Sequence, residues 1–160
     1  MAAQDIFPDA GLDYMLGIFP KNGTNAANLY LGLFKGGTAS TVPTSAATLA
    51  AMTGTFAEVT TTDYPGYARV TIAAADWGTA AGETIHTVAV RAVTATQKSF
   101  AAATSAATPS AAINGFFICN VASGTAGVPV YFSNFDDETG ISSLALGDII
   151  RVTPKLGLGG

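Results

Sequence analysis

Charge is scarce in this chain, and that limits how it can face water. Asp, Glu, Lys and Arg make up 11% of its 160 residues, where an ordinary soluble domain carries roughly 25%. Apolar residues stand at 49%, yet no apolar run approaches the roughly 18 residues a membrane-spanning helix needs. A soluble monomer ordinarily keeps its surface wet with charge. A chain this poor in charge either buries much of its surface against other subunits or coats it with small hydroxyl side chains. Both outcomes favour a component of an assembly over an enzyme.

The length allows one core and is too short for two comfortable ones. A single domain over residues 1–160 is expected, with residues 1–28 as an N-terminal arm and short helix. The net charge is −4, and the seven basic residues Lys21, Lys35, Arg69, Arg91, Lys98, Arg151 and Lys155 are scattered. No basic patch is available for a nucleic-acid partner, and no membrane partner is expected. Cys119 is the single cysteine, which excludes an intrachain disulfide and a cysteine-based metal site. Residues 1–7 lack the basic region and apolar core of a signal peptide, so synthesis in the cytoplasm is expected.

One helix is predicted. Pro8-Asp9 starts it, Leu12, Met15, Leu16 and Phe19 recur at helical spacing, and Pro20 with Asn22-Gly23 stops it. Everything after it reads as short strands and turns. Residues 29–34 (LYLGLF) are apolar, and residues 67–72 (YARVTI) alternate with a period of two. Residues 84–93 (TIHTVAVRAV) read as one strand with His86, Val88, Val90 and Ala92 on one face. Residues 115–120 (GFFICN) and 128–133 (VPVYFS) are aromatic-rich and separated by a Ser-Gly-Thr-Ala-Gly turn. Residues 148–156 (DIIRVTPKL) close the series, with Pro154 marking an edge or a strand end.

This pattern predicts an all-β fold, a β-sandwich of jelly-roll or Greek-key type with one short N-terminal helix. The expected core is Leu31, Leu33, Val70, Ile72, Val88, Val90, Phe117, Ile118, Val130, Phe132, Ile150 and Val152. Residues 38–56 and 101–114, rich in Ala, Thr and Ser, could hold short helical turns, which residues 46–52 would tolerate, but read first as long loops crossing between sheets. They look too poor in large apolar residues to form a core and too poor in charge to be ordinary solvated loops. That marks them as contact segments of an assembly, with residues 1–7 as an arm that anchors on a neighbour through Ile6 and Phe7.

Chemistry-bearing constellations are few. His86 is the single histidine, so a Ser-His-Asp or Cys-His mechanism would have to run through it. No Gly-x-Ser-x-Gly surrounds a serine, and Cys119 lies inside an aromatic strand. Asp136-Asp137-Glu138, followed by Thr139-Gly140, lacks the Asp-x-Asp-x-Asp-Gly spacing of a calcium loop and reads as a solvated turn. Gly32, Gly36 and Gly37 are not followed by the Gly-Lys-Ser/Thr of a phosphate cradle. Catalytic residues, cofactor-binding residues, metal ligands and cofactors are therefore all expected to be none, and no enzyme is expected. Trp77 and the tyrosines Tyr14, Tyr64 and Tyr131, read as exposed, give a carbohydrate-binding module its only support.

Several signatures occur in a recognisable order. Ala10-Gly11-Leu12-Asp13-Tyr14-Met15-Leu16 leads into LYLGLF at 29–34, then EVTTTDYPGYAR at 58–69, the Phe-rich 115–119, and LGDIIRVTP at 146–154. This order resembles small structural proteins of tailed bacteriophages, the decoration, tail or fibre-associated proteins, over most of the chain. In GYAR, the glycine permits a tight turn into the strand. Tyr67 can pack on a neighbour while Arg69 pairs with an acid such as Glu58, a structural role.

The resemblance implies a virion protein without enzymatic activity, made in the host cytoplasm and working on the virion. The first reading is a capsid decoration or cement subunit that binds and stabilises the major capsid protein lattice, as a homo-oligomer. A tail, collar or fibre-associated subunit is the alternative, partnered by other virion proteins. Head and tail components share β-sandwich folds, so both stay open.

Overall fold

The strands form where apolar residues alternate between turn-forming residues. The computed structural model describes residues 5–18, 28–36, 43–44, 46–52, 56–85, 88–135 and 140–159. In chain order the elements are β1 (Asp5–Ile6), helix α1 (Asp9–Ile18), β2 (Asn28–Lys35), β3 (Ala57–Glu58), β4 (Val70–Ala73), β5 (Ala81–Ile85) and β6 (Val88–Thr94). They continue with β7 (Lys98–Ser99), β8 (Ile113–Cys119), β9 (Pro129–Asn134), β10 (Arg151–Val152) and β11 (Lys155–Gly159). Every pairing is antiparallel. This is an all-β protein with one helix longer than a single turn among the described residues.

The central sheet has six strands in the order β1-β9-β8-β2-β3, with β4 also on β2. β8 and β9 are buried along their whole length, so both faces of the sheet are covered. Alternation sorts their side chains. Leu31, Leu33, Phe116, Ile118 and Tyr131 join one apolar cluster, while Phe34, Phe117, Cys119 and Phe132 form another. The first cluster reaches Phe100, Ile150 and Val152 of β10, with the half-buried Leu156 of β11 at its margin. The smaller sheets, β10-β7 and β11-β6-β5, thus supply part of the second layer.

On the other face, large rings stand over glycines. Gly32 lies opposite Phe117 and Gly115 opposite Phe34 in the β2–β8 register. A Cβ at Gly32 would collide with the Phe117 ring, and one at Gly115 would meet the Ser133 carbonyl and the Phe34 ring. The missing side chains make room for the rings, which then pack edge-on across the sheet, Phe34 on Phe132 at 6.3 Å.

Several sequence expectations change here. The predicted strand 84–93 is two paired strands, with Ile85 opposite Val88. His86 and Thr87, which connect them, lie outside the described residues. The β-branched run continues through the connection without Gly, Asn or Pro, so no turn signal interrupts the pattern. Residues 148–156 also divide, β10 and β11 pairing in different sheets on either side of Pro154. Within 67–72 only Val70 onward pairs, because Tyr67 and Arg69 serve the polar network described below.

Residues 38–56 and 101–114 contribute to cores after all. Leu49 and Met52, at the single helical turn Leu49–Ala51, are buried against the second cluster, and Phe56 packs edge-on to Phe34 at 6.1 Å. Ala103 joins the first cluster. Leu49, Met52 and Phe56 do fall at helical spacing, and the helical turn occupies the first of these positions. The N-terminal segment is likewise engaged within its own chain. Asp5 and Ile6 pair with Ser133 and Phe132, and the Phe7 ring lies 4.9 Å from that of Tyr131.

Of the expected core, Leu31, Leu33, Ile72, Phe117, Ile118, Val130, Phe132, Ile150 and Val152 are buried. Val70 is half-buried, and the side chains of Val88 and Val90 lie outside the described residues. Helix α1 crosses β9 at Gly11, where a Cβ would stand 2.6 Å from the Val130 carbonyl.

Candidate functional site

The densest polar geometry sits on the split edge of β2. β4 pairs with Asn28 to Leu31 and β3 with Phe34 and Lys35, leaving Gly32 and Leu33 between them. The chain supplies the missing ladder partners in two ways. Val59 N–H donates to the Leu33 carbonyl at 3.0 Å, and Leu33 N–H donates to the Tyr67 hydroxyl at 3.0 Å. Without that hydroxyl, Leu33, itself fully buried, would hold an orphaned donor. Gly66, at φ 98°, turns the chain so that Tyr67 points back to the edge. The Tyr67 ring stacks on Phe100 at 5.8 Å.

Tyr67 in turn donates to Glu58 Oε1 at 2.9 Å. Arg69 grips the same carboxylate with both arms of its fork, Nε to Oε1 at 2.8 Å and Nη2 to Oε2 at 2.6 Å. Its remaining reach goes to the β8–β9 loop, Nη1 to the Val121 carbonyl and Nη2 to the Gly124 carbonyl, each at 3.0 Å. The guanidinium lies 5.2 Å from the Phe117 ring centroid, within cation–π range. The Arg69 side chain is 3% exposed. Burial works against its charge, but the Glu58 carboxylate outweighs that and holds the guanidinium above its usual range. Burial, reinforced by Glu58, likewise pushes the Tyr67 hydroxyl above the ordinary phenol range, so it stays protonated and able to donate. The expected Arg69–Glu58 pair is present, and Tyr67 packs within the chain.

A second polar cluster had no forecast from sequence. Asp63 is 2% exposed. Its Oδ2 accepts from Thr60 N–H at 3.0 Å, from the Thr60 hydroxyl at 2.7 Å, and from Lys35. Its Oδ1 accepts from Ser110 N–H at 3.0 Å and from the Ser110 hydroxyl at 3.1 Å. Burial alone would raise this carboxyl, but Lys35 and the Thr60 and Ser110 donors prevail and hold it well below the usual carboxylate range. The Thr-x-x-Asp turn was readable in Thr60 to Asp63. Lys35 and Ser110 come from distant segments, and nothing local links them.

Both clusters are saturated. Arg69 uses its donors on Glu58 and two carbonyls, and each Asp63 oxygen is engaged by protein donors. What they do chemically is fix backbone. One ties the β8–β9 loop to the β2 edge, and the other ties residue 110 to the end of β2.

Among the described residues, no group of three or more His, Cys, Asp or Glu could hold a metal ion, and no helix is long and apolar enough to cross a membrane. His86 and Asp136, Asp137 and Glu138 lie outside the described residues. Cys119 is buried, and burial raises its thiol, which disfavours the reactive thiolate. The aromatic surface expected for sugar binding is not present as read. Tyr64 and Tyr131 are buried, the Tyr64 hydroxyl donating to the Ala101 carbonyl at 2.6 Å, and Tyr14 and Trp77 are half-buried.

One open cavity of about 330 Å³ lies beside the loop before β10. Phe135, Ile141, Leu144, Ile149 and Ile150 line it on the apolar side, and Ser143 with the exposed Asp148 and Arg151 make the rest of its wall polar. No protein-family model matches the chain, and comparison with curated proteins gives no match.

Proposed function

We propose that this chain is a structural, non-enzymatic subunit of a tailed-bacteriophage virion, in the first place a capsid decoration protein docked on the major capsid protein lattice. The observation that carries the reading is a pair of exposed loops that are free of charge yet anchored from beneath. Residues 122–126 (ASGTA) are all exposed, and residues 101–111 are mostly so. The first is held by Arg69 through Gly124, and the second by Asp63 through Ser110 and by Tyr64 through Ala101.

Such loops suit permanent docking. Ala and Gly lose no side-chain entropy when covered, the backbone is already ordered, and no charge must be stripped of water. The order of strand and turn signatures that resembles small phage structural proteins points the same way. A tail or collar subunit would use the same surfaces, and copy number separates the two readings.

The test is rebinding. Purified chain is mixed with capsids lacking it, pelleted and quantified at low and high NaCl. Saturable binding that salt barely weakens is expected, because uncharged contacts are little screened. Ala106→Asp and Thr125→Asp should lower binding without lowering the melting temperature. Absence of binding, or release by moderate salt, would contradict the proposal.

A further inference from the structure

The loop before β10 carries an apolar projection, an open hollow lined by both apolar and polar side chains, and two exposed side chains of opposite charge. Leu146 is 72% exposed, the most exposed of the large apolar side chains among the described residues. It stands on a rigid turn. Gly147 adopts φ 89°, Ala145 N–H donates to Asp148 Oδ2 at 2.7 Å, and Asp148 N–H returns to the Ala145 carbonyl at 3.2 Å. Ile149, 39% exposed, continues the apolar strip into the 330 Å³ cavity. The Arg151 side chain makes no hydrogen bond or ion pair among the described residues; the Asp148 carboxylate accepts from Ala145 N–H within its own turn, while the Asp148 carbonyl accepts from Ala103 N–H at 2.8 Å.

We propose that this face is a two-fold docking surface for a second copy of the chain, each Leu146 entering the cavity of its partner. The charges argue for self-association over a foreign occupant. On a patch bearing one Asp and one Arg, a two-fold axis sets Asp148 of each copy toward Arg151 of the other, satisfying both at once. A partner of single-sign charge would repel one of them. The knob and the hollow also lie on the same short segment, which is the condition for an isologous contact that closes as a dimer. The cavity exceeds the volume of one leucine side chain, so it admits Leu146 together with part of its turn. The patch is small for a stable interface, and the dimer it forms is a weak one, in the micromolar to millimolar range of about 1 µM to 1 mM. The inference is independent of the virion proposal.

Sedimentation equilibrium of the full chain over a concentration series tests it, with Leu146→Asp and Arg151→Glu beside the wild type. Both positions are exposed, so the variants should keep the wild-type melting temperature when dilute. The wild type should dimerise, and Leu146→Asp should weaken dimerisation by about thirtyfold or more, as for loss of a central apolar anchor. Arg151→Glu, which sets two acids together across the axis, should weaken it as well. A wild type that stays monomeric at about 1 mM would overturn the proposal and leave the patch to another partner. A Leu146→Asp variant that dimerises as tightly as wild type would overturn it equally.

Discussion

Tyr67 and Asp63 show how single side chains substitute for secondary structure. The Tyr67 hydroxyl occupies the place of a strand carbonyl on the β2 edge and passes its own proton to Glu58. Tyr67→Phe keeps the ring on Phe100 but orphans the Leu33 N–H, and chemical denaturation should show a loss of about 1–3 kcal/mol. Asp63→Asn removes the charge that holds Lys35 and should cost about 3 kcal/mol at neutral pH, since an ion pair with little exposure is broken on one side. The pH dependence follows from the lowered folded-state pKa. Asp63 contributes stability that is present above its unfolded value, near 3.8, and is lost as pH falls through the folded one. Wild-type stability should therefore decline below about pH 4 more steeply than that of Asp63→Asn. Parallel acid limbs in the two proteins would show that the carboxylate does not carry this linkage. The Glu58–Arg69 pair was readable because both residues flank one short motif. Beyond its local turn with Thr60, the Asp63 cluster was not, since Lys35 lies on β2 and Ser110 beside Pro109, and only the folded chain brings them near.

At the level of elements, the strands easiest to read were those bounded by glycine and asparagine, β2, β8 and β9. Their alternation survives because each face meets its own apolar cluster. The hairpin of β5 and β6 was hidden by β-branched residues that continue toward the turn, and the strand-like 148–156 concealed a change of sheet at Pro154. The covering of the second face was unreadable for another reason. Leu49, Met52 and Phe56 fall at helical spacing, but they are three apolar positions in a stretch dominated by Ala, Thr and Ser, and only the folded chain sets them over Phe34. The ring-over-glycine packing makes a sharp prediction for β8. Gly115→Ala would drive a Cβ against the backbone of Ser133, which cannot swing aside as a side chain can. Overpacking of this kind should lower stability by about 1–3 kcal/mol, read from the denaturation midpoint. A neutral outcome would mean that β8 and β9 are further apart than described.

At the scale of the whole molecule, two of the few charges lie beneath loops that carry none. Arg69 and Asp63 are covered by loops that carry only Ala, Ser, Thr, Gly and Pro, while Asp9, Asp13, Arg91, Asp148 and Arg151 face solvent elsewhere. An isolated protein gains solubility from surface charge, whereas a subunit covered by a lattice gains nothing from it and would have to desolvate it. The proposed docking would give the charge scarcity of the sequence and the anchored uncharged loops of the structure one physical explanation. The most direct test is the amount of this chain, relative to the major capsid protein, in phage particles assembled from the genome that encodes it, measured by quantitative mass spectrometry after a high-salt wash. The proposal predicts a fixed, lattice-scale ratio that survives the wash. Particles that lack the chain, or lose it to salt, would contradict it.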